Sequence, residues 1–510
     1  MVRESLGGRD QSASRHILCQ LMSVLIHRSC FQTAFPMMSP LTKQHTKRSS
    51  GESPPLSPGS ALKLVNGSHD PKTHPSLALR IPHELLAEIF VIGLDAMDSE
   101  RQSHPLINTY LFHLTAVCNF WRFVAISTPT LWAKIRCIYN TPKKVGSVAA
   151  HLKLQLERSK DVLLDLELVP GPDSDNALTR KIVGIIYPHL HRCRGIAVEL
   201  YSVGDAKLLL PLPGPLKNLT ALGIADRDRC LRKKSIITSA DTPSLRILKY
   251  VGPLTALRTM QTKNLTHVLL EGGTLGSALD ILSKCPAAQS AIIDARIKRS
   301  EVYPNPFTLG DLTSLVIPRA FALVFQHIFK APKLDTLCLT PLDDYDCLPN
   351  NFHLMQPLPV QGLRKVTLED LSLSHWSREL HDFMVWHPRI EHLTLLRCAD
   401  PIIIPTILLR GDKKDRAYST LLQDVELPED CEPLLPSLMM LCLQGTGQGF
   451  WGNKSLGICV SDLLEERSTL SFAACEVSFH GSKVQLSEIE ARFGHRFSKT
   501  QEPEEKPIWE

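Results

Sequence analysis

The sequence predicts an α/β chain: a short module of three helices near its front, followed by an irregular array of parallel strands with covering helices. Three observations predict it. Apolar residues between Ile81 and Ile135 recur at steps of three and four, the spacing that gathers side chains on one face of a helix. Downstream, the pattern apolar-x-x-apolar-x-apolar returns at intervals of typically twenty to thirty residues. Helix-like stretches fill the intervals, and prolines fall two residues ahead of several copies.

Composition sets the frame for these elements. At 510 residues the chain is too long for one compact core and implies two or three domains or one elongated array. With 43% hydrophobic and 21% charged residues it has the balance of a soluble folded protein. The net charge is +5, and residues 1–75 hold that whole excess, with nine Lys and Arg against four Asp and Glu. The remainder is near neutral, which argues against a dedicated nucleic-acid surface. The 14 cysteines are scattered singly, never as C-x-x-C. Several, such as Cys338 and Cys442, lie in apolar runs and read as small buried hydrophobes, so a reducing compartment, cytoplasmic or nuclear, is expected. No zinc-ligand spacing occurs, and no metal or other cofactor is implied.

Four segments follow from composition. Residues 1–75, rich in Ser, Pro, Thr and His, are expected to be disordered because they cannot bury enough surface to offset ordering entropy. Within them, His16–His27 is apolar but shorter than the roughly 18 residues of a membrane span, so no membrane is expected. Arg3, Arg9, Arg15 and Arg28 around it suggest a transit peptide, against which Glu4 and Asp10 count. Residues 76–140 form the helical module, 150–480 the array, and 481–510 a tail.

In the module, Pro82 and Glu84 mark a helix start, one by its fixed φ and the other by its charge near the positive end of the helix dipole. Leu85, Leu86, Ile89 and Phe90 follow on one face, and Gly93 is expected to weaken the helix. Leu111, Leu114, Cys118, Trp121 and Ala125 make a second stripe of about four turns. Ser127 or Thr128 before Pro129 signals a third helix, with Leu131, Trp132 and Ile135 on its apolar side. So small a module cannot bury all of this bulk, and the excess is expected to form a patch. The alternative is that these residues close a core with the downstream domain.

The order of these residues resembles an F-box. "IPHELLAEIF" and "LTAVCNFWRFVAISTPTLW" follow that family's pattern at Pro82, Glu84, Leu85, Leu86, Ile89, Phe90, Val117, Cys118, Trp121, Arg122, Ala125, Leu131 and Trp132. Ile81 stands where Leu is usual, and the link from Gly93 to Pro105 is longer than typical. The resemblance implies a non-enzymatic adaptor that docks on a Skp1-like protein, and through it on a cullin and RING ubiquitin ligase. The rest of the chain would select a protein target. The expected contact residues are Pro82, Leu85, Leu86, Ile89, Phe90, Leu114, Val117, Cys118, Trp121, Leu131 and Trp132, with Trp121 and Leu86 as central anchors.

The array's copies start at Leu219, Leu245, Leu265, Leu312, Leu334, Leu363, Ile390, Leu422 and Leu438, with weaker ones at Cys193 and Ala288. In each, the fourth and sixth residues point the same way from a short strand, so stacked strands would build one apolar wall. "SALDILSKCP", "AFALVFQHIFKAP" and "SRELHDFMVWHP" read as intervening helices. Pro243, Pro332, Pro388 and Pro436 would stop each helix and open the turn into a strand. The array is similar to leucine-rich repeats in length and pattern. It departs from them after the strand, where Asn or Cys usually ties turns together: Gly273, Ala320, Leu342, Leu371 and Thr446 stand there, and only Cys398 conforms. An irregular solenoid is expected, and an ordinary α/β domain of alternating strands and helices is the alternative. Both have a parallel sheet covered by helices.

"GQGFWG" places Gly447, Gly449 and Gly452 in a G-x-G-x-x-G spacing, but Phe450 and Trp451 fill the loop and no second nucleotide-binding half follows. His189, His191 and His387 read as surface or capping residues rather than ligands. Three functions remain open: a ligase adaptor, a Skp1-binding scaffold without ligase function, and an enzyme using the glycine loop.

Overall fold

A computed structural model describes residues 81–99, 107–139, 145–172, most of 174–296, 304–318, 329–340, most of 360–398, and shorter stretches between 408 and 498. Residues 1–75, the copy at Leu422, the glycine loop and most of the tail lie outside the described residues. The chain divides into two compact units, Met1–Trp132 and Ala133–Glu510.

The first unit holds α1 (His83–Ser99), α2 (Ile107–Val117) and α3 (Asn119–Ser127), then a single 3-10 turn at Pro129–Trp132. α1 opens where expected, with the Leu86 amide bonded to the Pro82 carbonyl at 3.0 Å and Glu84 in the first turn. Gly93 does not weaken it. A Cβ there would lie 2.3 Å from Tyr110 Oη, so the glycine is the gap that lets α2 approach α1. The stripe from Leu111 to Ala125 is two helices rather than one. Cys118 breaks it, adopting an extended φ of −158° and accepting the Trp121 amide on its sulfur.

The expected third helix is corrected as well. Pro129 starts only the 3-10 turn, and Ile135 belongs to the first strand of the second unit. "KIRCIY" alternates with a period of two, burying Ile135, Cys137 and Tyr139, which suits a strand better than a helix. The domain boundary therefore falls after Trp132 rather than at 140.

The second unit is built on one sheet of 14 strands, all paired in parallel and in strict sequence order. They are β1 (Lys134–Tyr139), β2 (Leu164–Pro170), β3 (Cys193–Leu200), β4 (Ala221–Asp226), β5 (Ile247–Val251), β6 (His267–Thr274) and β7 (Ser290–Arg296). Then come β9 (Ser314–Pro318), β11 (Thr336–Thr340), β12 (Lys365–Glu369), β13 (His392–Leu396), β14 (Met440–Gln444), β15 (Ser471–Cys475) and β16 (Phe497–Ser498). β8 (Phe307–Thr308) and β10 (Phe329–Lys330) pair separately. The sheet thus begins before residue 150 and takes in Phe497–Ser498 from the expected tail. Phe329 and Lys330, expected at the end of a helix, are strand.

Every described copy of the six-residue pattern has become one strand with its preceding turn. The first, fourth and sixth residues, such as Leu219, Leu222 and Ile224 in one copy or Ile390, Leu393 and Leu395 in another, are buried. Helices α4 (Val145–Arg158), α5 (Asn176–Ile186), α6 (Val203–Leu209), α7 (Leu275–Leu282) and α8 (Ser377–Trp386) contribute to the same core. α7 and α8 occupy two of the stretches read as helical.

The prolines act in turns. Thr242–Leu245, Ala331–Leu334, His387–Ile390 and Leu435–Leu438 each close with an amide-to-carbonyl bond of 3.0–3.3 Å spanning three residues. Pro243, Pro332, Pro388 and Pro436 stand second in these turns, where proline's fixed φ fits. Neighbouring copies are tied at the strand starts by a backbone ladder. The Thr220 carbonyl accepts the amides of Arg246 and Ile247 at 2.9 and 3.0 Å, and the Arg246 carbonyl accepts Thr266 and His267 at 2.8 and 3.0 Å. Threonine adds a second tie: Thr220, Thr266 and Thr313 donate through Oγ1 to the carbonyls of Arg194, Arg246 and Gln289 at 3.1–3.2 Å. Cys398, the conforming residue, donates its thiol to the Leu368 carbonyl at 3.1 Å.

Candidate partner-binding surfaces

In the first unit, the residues expected at a docking surface separate into two groups. Leu86, Phe90, Leu114, Trp121, Leu131 and Trp132 are buried in the unit's own core. The Phe90 and Trp121 rings lie 5.0 Å apart, tilted by 58°, and Trp132 Nε1 donates to the Ala125 carbonyl at 2.7 Å. Leu86 and Trp121, at 1% and 2% exposure, are therefore anchors of the fold and not of an open surface. Ile89, Val117 and Cys118 are half-buried against that core, and Pro82 and Leu85 are exposed.

Three exposed residues escape the sequence reading: Phe112 at 52%, Phe123 at 64% and Ile126 at 38%, beside Leu85 at 53%. The signal is present in α3. Trp121, Val124 and Ala125 fill one side of that helix and Phe120 packs partly against the same core, while Phe123 and Ile126, three residues apart, lie on the other side. A helix with two apolar sides in a three-helix unit must leave one outward. Arg122 lies between them in sequence, its Nε bonded to the Thr115 carbonyl at 2.7 Å, which ties α3 to α2.

In the second unit, alternation along each strand sends one set of side chains into the core and the other to the opposite, open face. The middle open-face column runs Arg136, Glu167, Ala197, Gly223, Lys249, Leu269, Ile292, Val316, Cys338, Thr367, Thr394 and Cys442. Cys338 and Cys442 are thus part-exposed rather than core, because they occupy the fifth position of their copies. The buried thiols are others: burial pushes Cys137 and Cys193 up to about 12 and Cys285 to about 11, which keeps them protonated. None of the described cysteines forms a disulfide.

Several charges near both flanks of this face are paired. Arg136 meets its register partner Glu167 at 2.9 Å, Arg194 meets Asp165, and Arg227 meets Glu199 at 3.2 Å. Farther along, Arg364 lies 3.8 Å from Asp335 and 3.7 Å from Glu391, and Arg397 grips Glu369 and Asp370. Asp370 and Arg397 both have positive φ, 49° and 52°, a strained conformation for residues with side chains, and their carboxylate–guanidinium contact joins the ends of β12 and β13.

The histidines divide. His191 is exposed, with Nδ1 2.9 Å from the Pro188 carbonyl, and His189 is half-buried. His387 is not at the surface but does end a helix: it follows α8, its amide donates to the Phe383 carbonyl at 3.1 Å, and its ring is buried against that of Phe383, 4.7 Å away. Burial lowers its pKa to about 4, opposed by a hydrogen bond to the Val360 backbone. Among the described residues no group of three or more His, Cys, Asp and Glu could hold a metal ion, and no helix is long and apolar enough to cross a membrane.

The chain matches no protein-family model and no curated protein sequence.

Proposed function

We propose that the chain is a substrate-recognition adaptor of a Skp1, cullin and F-box type ubiquitin ligase. Its helical unit acts as the F-box, and its sheet acts as a degenerate leucine-rich-repeat-like solenoid that engages a protein target. The observation that carries this reading is where the ordered pattern falls. From Pro82 to Trp132 it coincides with one compact three-helix unit, and its large residues form that unit's core. The strict sequence order of the parallel strands supports the solenoid over a doubly wound α/β domain, whose strand order reverses at a switch point.

The docking surface on this reading is Pro82 and Leu85 from the original set together with Phe112, Phe123 and Ile126. Exposed aromatic and aliphatic side chains of this kind are what a partner groove covers. The test is capture of the full chain by purified Skp1-like protein, comparing wild type with Leu85→Glu and Phe123→Glu. Loss of capture in either variant, with the helical signal in circular dichroism retained, is expected. Absence of capture by the wild-type chain would remove the adaptor reading. Transfer of ubiquitin to a bound target in a reconstituted ligase separates an adaptor from a Skp1-binding scaffold.

A further inference from the structure

We propose that the chain's own apolar segment, residues 16–27, docks as a short helix on the outward face of the helical unit, over Leu85, Phe112, Phe123 and Ile126. Seated there, it holds back the Skp1-like partner until that partner displaces it. The contact stands on the exposed face and on the segment's composition, and the holding back rests on the adaptor reading.

The face draws on all three helices. Leu85 comes from the first turn of α1, Phe112 from α2, and Phe123 and Ile126 from α3. Arg122 Nε donates to the Thr115 carbonyl at 2.7 Å, and Thr115 Oγ1 donates to the Phe112 carbonyl at 2.9 Å, so the outer sides of α2 and α3 adjoin. The face also has a sign. The sequence of α1 holds Glu84, Glu88, Asp95 and Asp98 and no lysine or arginine. Glu84 and Glu88 are exposed and bracket Leu85 in the chain. Among the described residues of the unit Arg122 carries the only permanent positive charge, and His83 lies 3.2 Å from Glu84. Over residues 81–132 the balance is five Asp and Glu to two Arg, whereas residues 1–75 hold nine Lys and Arg to four Asp and Glu. The two parts of the chain are complementary in charge.

The segment reads HILCQLMSVLIH. On a helix, His16, Gln20, Ser23 and His27 fall at steps of four, three and four and share one side, which leaves the rest of the circumference to Ile, Leu, Val, Met and Cys. Arg15 and Arg28 stand at its ends, where they suit an acidic surface. Twelve residues make about 18 Å of helix, close to two interhelical spacings of about 8–10 Å each. A helix of this length is marginal in water by itself. It needs an apolar surface to pack on.

Tethering makes the helical unit the surface nearest to hand. Residues 29–80 link the two, and a flexible chain of that length spans on the order of 40 Å, which keeps the segment near the face at a concentration on the order of millimolar. A contact too weak to hold two separate molecules together is then enough to cover the face. A tight partner still displaces it, with its apparent affinity lowered by the fraction of chains that are covered.

The test uses the full chain with Phe123→p-benzoylphenylalanine, irradiated as an equal mixture of ordinary and heavy-nitrogen chains. A cross-link to residues 15–28 of the same chain is expected. Its yield should fall at least about 10-fold with Leu21→Glu and Leu25→Glu together, and should also fall with Arg15→Glu and Arg28→Glu together. Phe112→p-benzoylphenylalanine carries the same test should the first variant fail to fold. The proposal is overturned by the absence of that cross-link, by links that join two copies or run to the sheet unit instead, or by a yield indifferent to the glutamates at Leu21 and Leu25. In a separate assay, purified Skp1-like protein should bind the Leu21→Glu and Leu25→Glu chain at least about 3-fold more tightly than the wild type. Equal binding would overturn the holding back. Capture of neither chain would remove the adaptor reading and the holding back with it, and the cross-link decides the contact regardless.

Discussion

The helical unit and the sheet unit use apolar residues under different rules. In α3, Trp121 faces inward and Phe123, two residues on, faces outward at 64% exposure. Both are large and aromatic, so the helical period alone assigns neither to the core. In β4, Leu222 and Ile224 face inward while Gly223 between them lies on the open face, and the same alternation repeats down the sheet. A strand has two faces and one alternation. A helix rich in apolar residues has several possible inner faces, and its neighbours select one. Apolar bulk therefore marks a docking surface only after the residues consumed by the core have been subtracted.

The most severe way to break this contrast is Trp121→Ala combined with Leu86→Ala. Each truncation of a sealed core residue costs about 2–5 kcal/mol, and together they approach the whole stability of a small unit. Hydrogen exchange should show protection lost from α1 to α3 and kept in β3 to β7. Retained protection in the helices would mean that the two side chains are not the core. A single truncation in the sheet, Leu270→Ala, is expected to cost about 3 kcal/mol. Its effect should centre on β5 to β7, where Leu270 packs, and fade toward β13 to β15.

His387 provides a pH test confined to the sheet unit. Its folded pKa of about 4 lies below the ordinary 6.5, so between those values the unfolded chain binds the proton that the folded chain refuses. Its neutral form costs nothing above pH 6.5. Stability then falls as pH drops, reaching a loss of about 3 kcal/mol near pH 4. In denaturant titrations from pH 7 to pH 4, His387→Gln should flatten that slope. A slope equal to that of the wild type would contradict the burial of the ring.

Smaller effects sharpen the comparison. Thr313→Val removes the Oγ1 bond to the Gln289 carbonyl and should lower stability by about 1 kcal/mol. Phe123→Glu, on the outward side of α3, should change stability by less than about 0.5 kcal/mol while acting on partner capture. Thermal unfolding of the two variants beside the wild type would rank them. A large loss from Phe123→Glu would show that α3 has no free side.

Much of the array is legible in the sequence because strand burial is local. The pattern locates ten of the described strands, β3 to β7, β9 and β11 to β14, including the weaker copies at Cys193 and Ala288, and their fourth and sixth residues are core throughout, whereas β1, β2, β15 and β16 carry no copy of it. What misleads is residue character judged without position. Cys338 and Cys442 read as buried because their neighbours are apolar, yet they stand on the open face. His387 reads as a surface or capping residue because it is polar; it does end α8, yet its ring is sealed against Phe383. In the helical unit, Pro129 gives a sound start signal with too little chain behind it. The alternation from Ile135 claims the following residues for a strand after a single 3-10 turn.

The sequence by itself determined the strands of the repeating pattern, their order and the helices α1, α7 and α8, because helical and strand spacings are written in consecutive residues. It also located the turns, since proline's fixed φ acts within a few residues. Only the tertiary structure decided which side of α3 is covered, where the first unit ends, and that Leu269, Ile292, Val316 and Cys338 align into one strip. Those outcomes depend on residues tens of positions apart meeting in space, and register between strands is a property of the pair rather than of either strand alone.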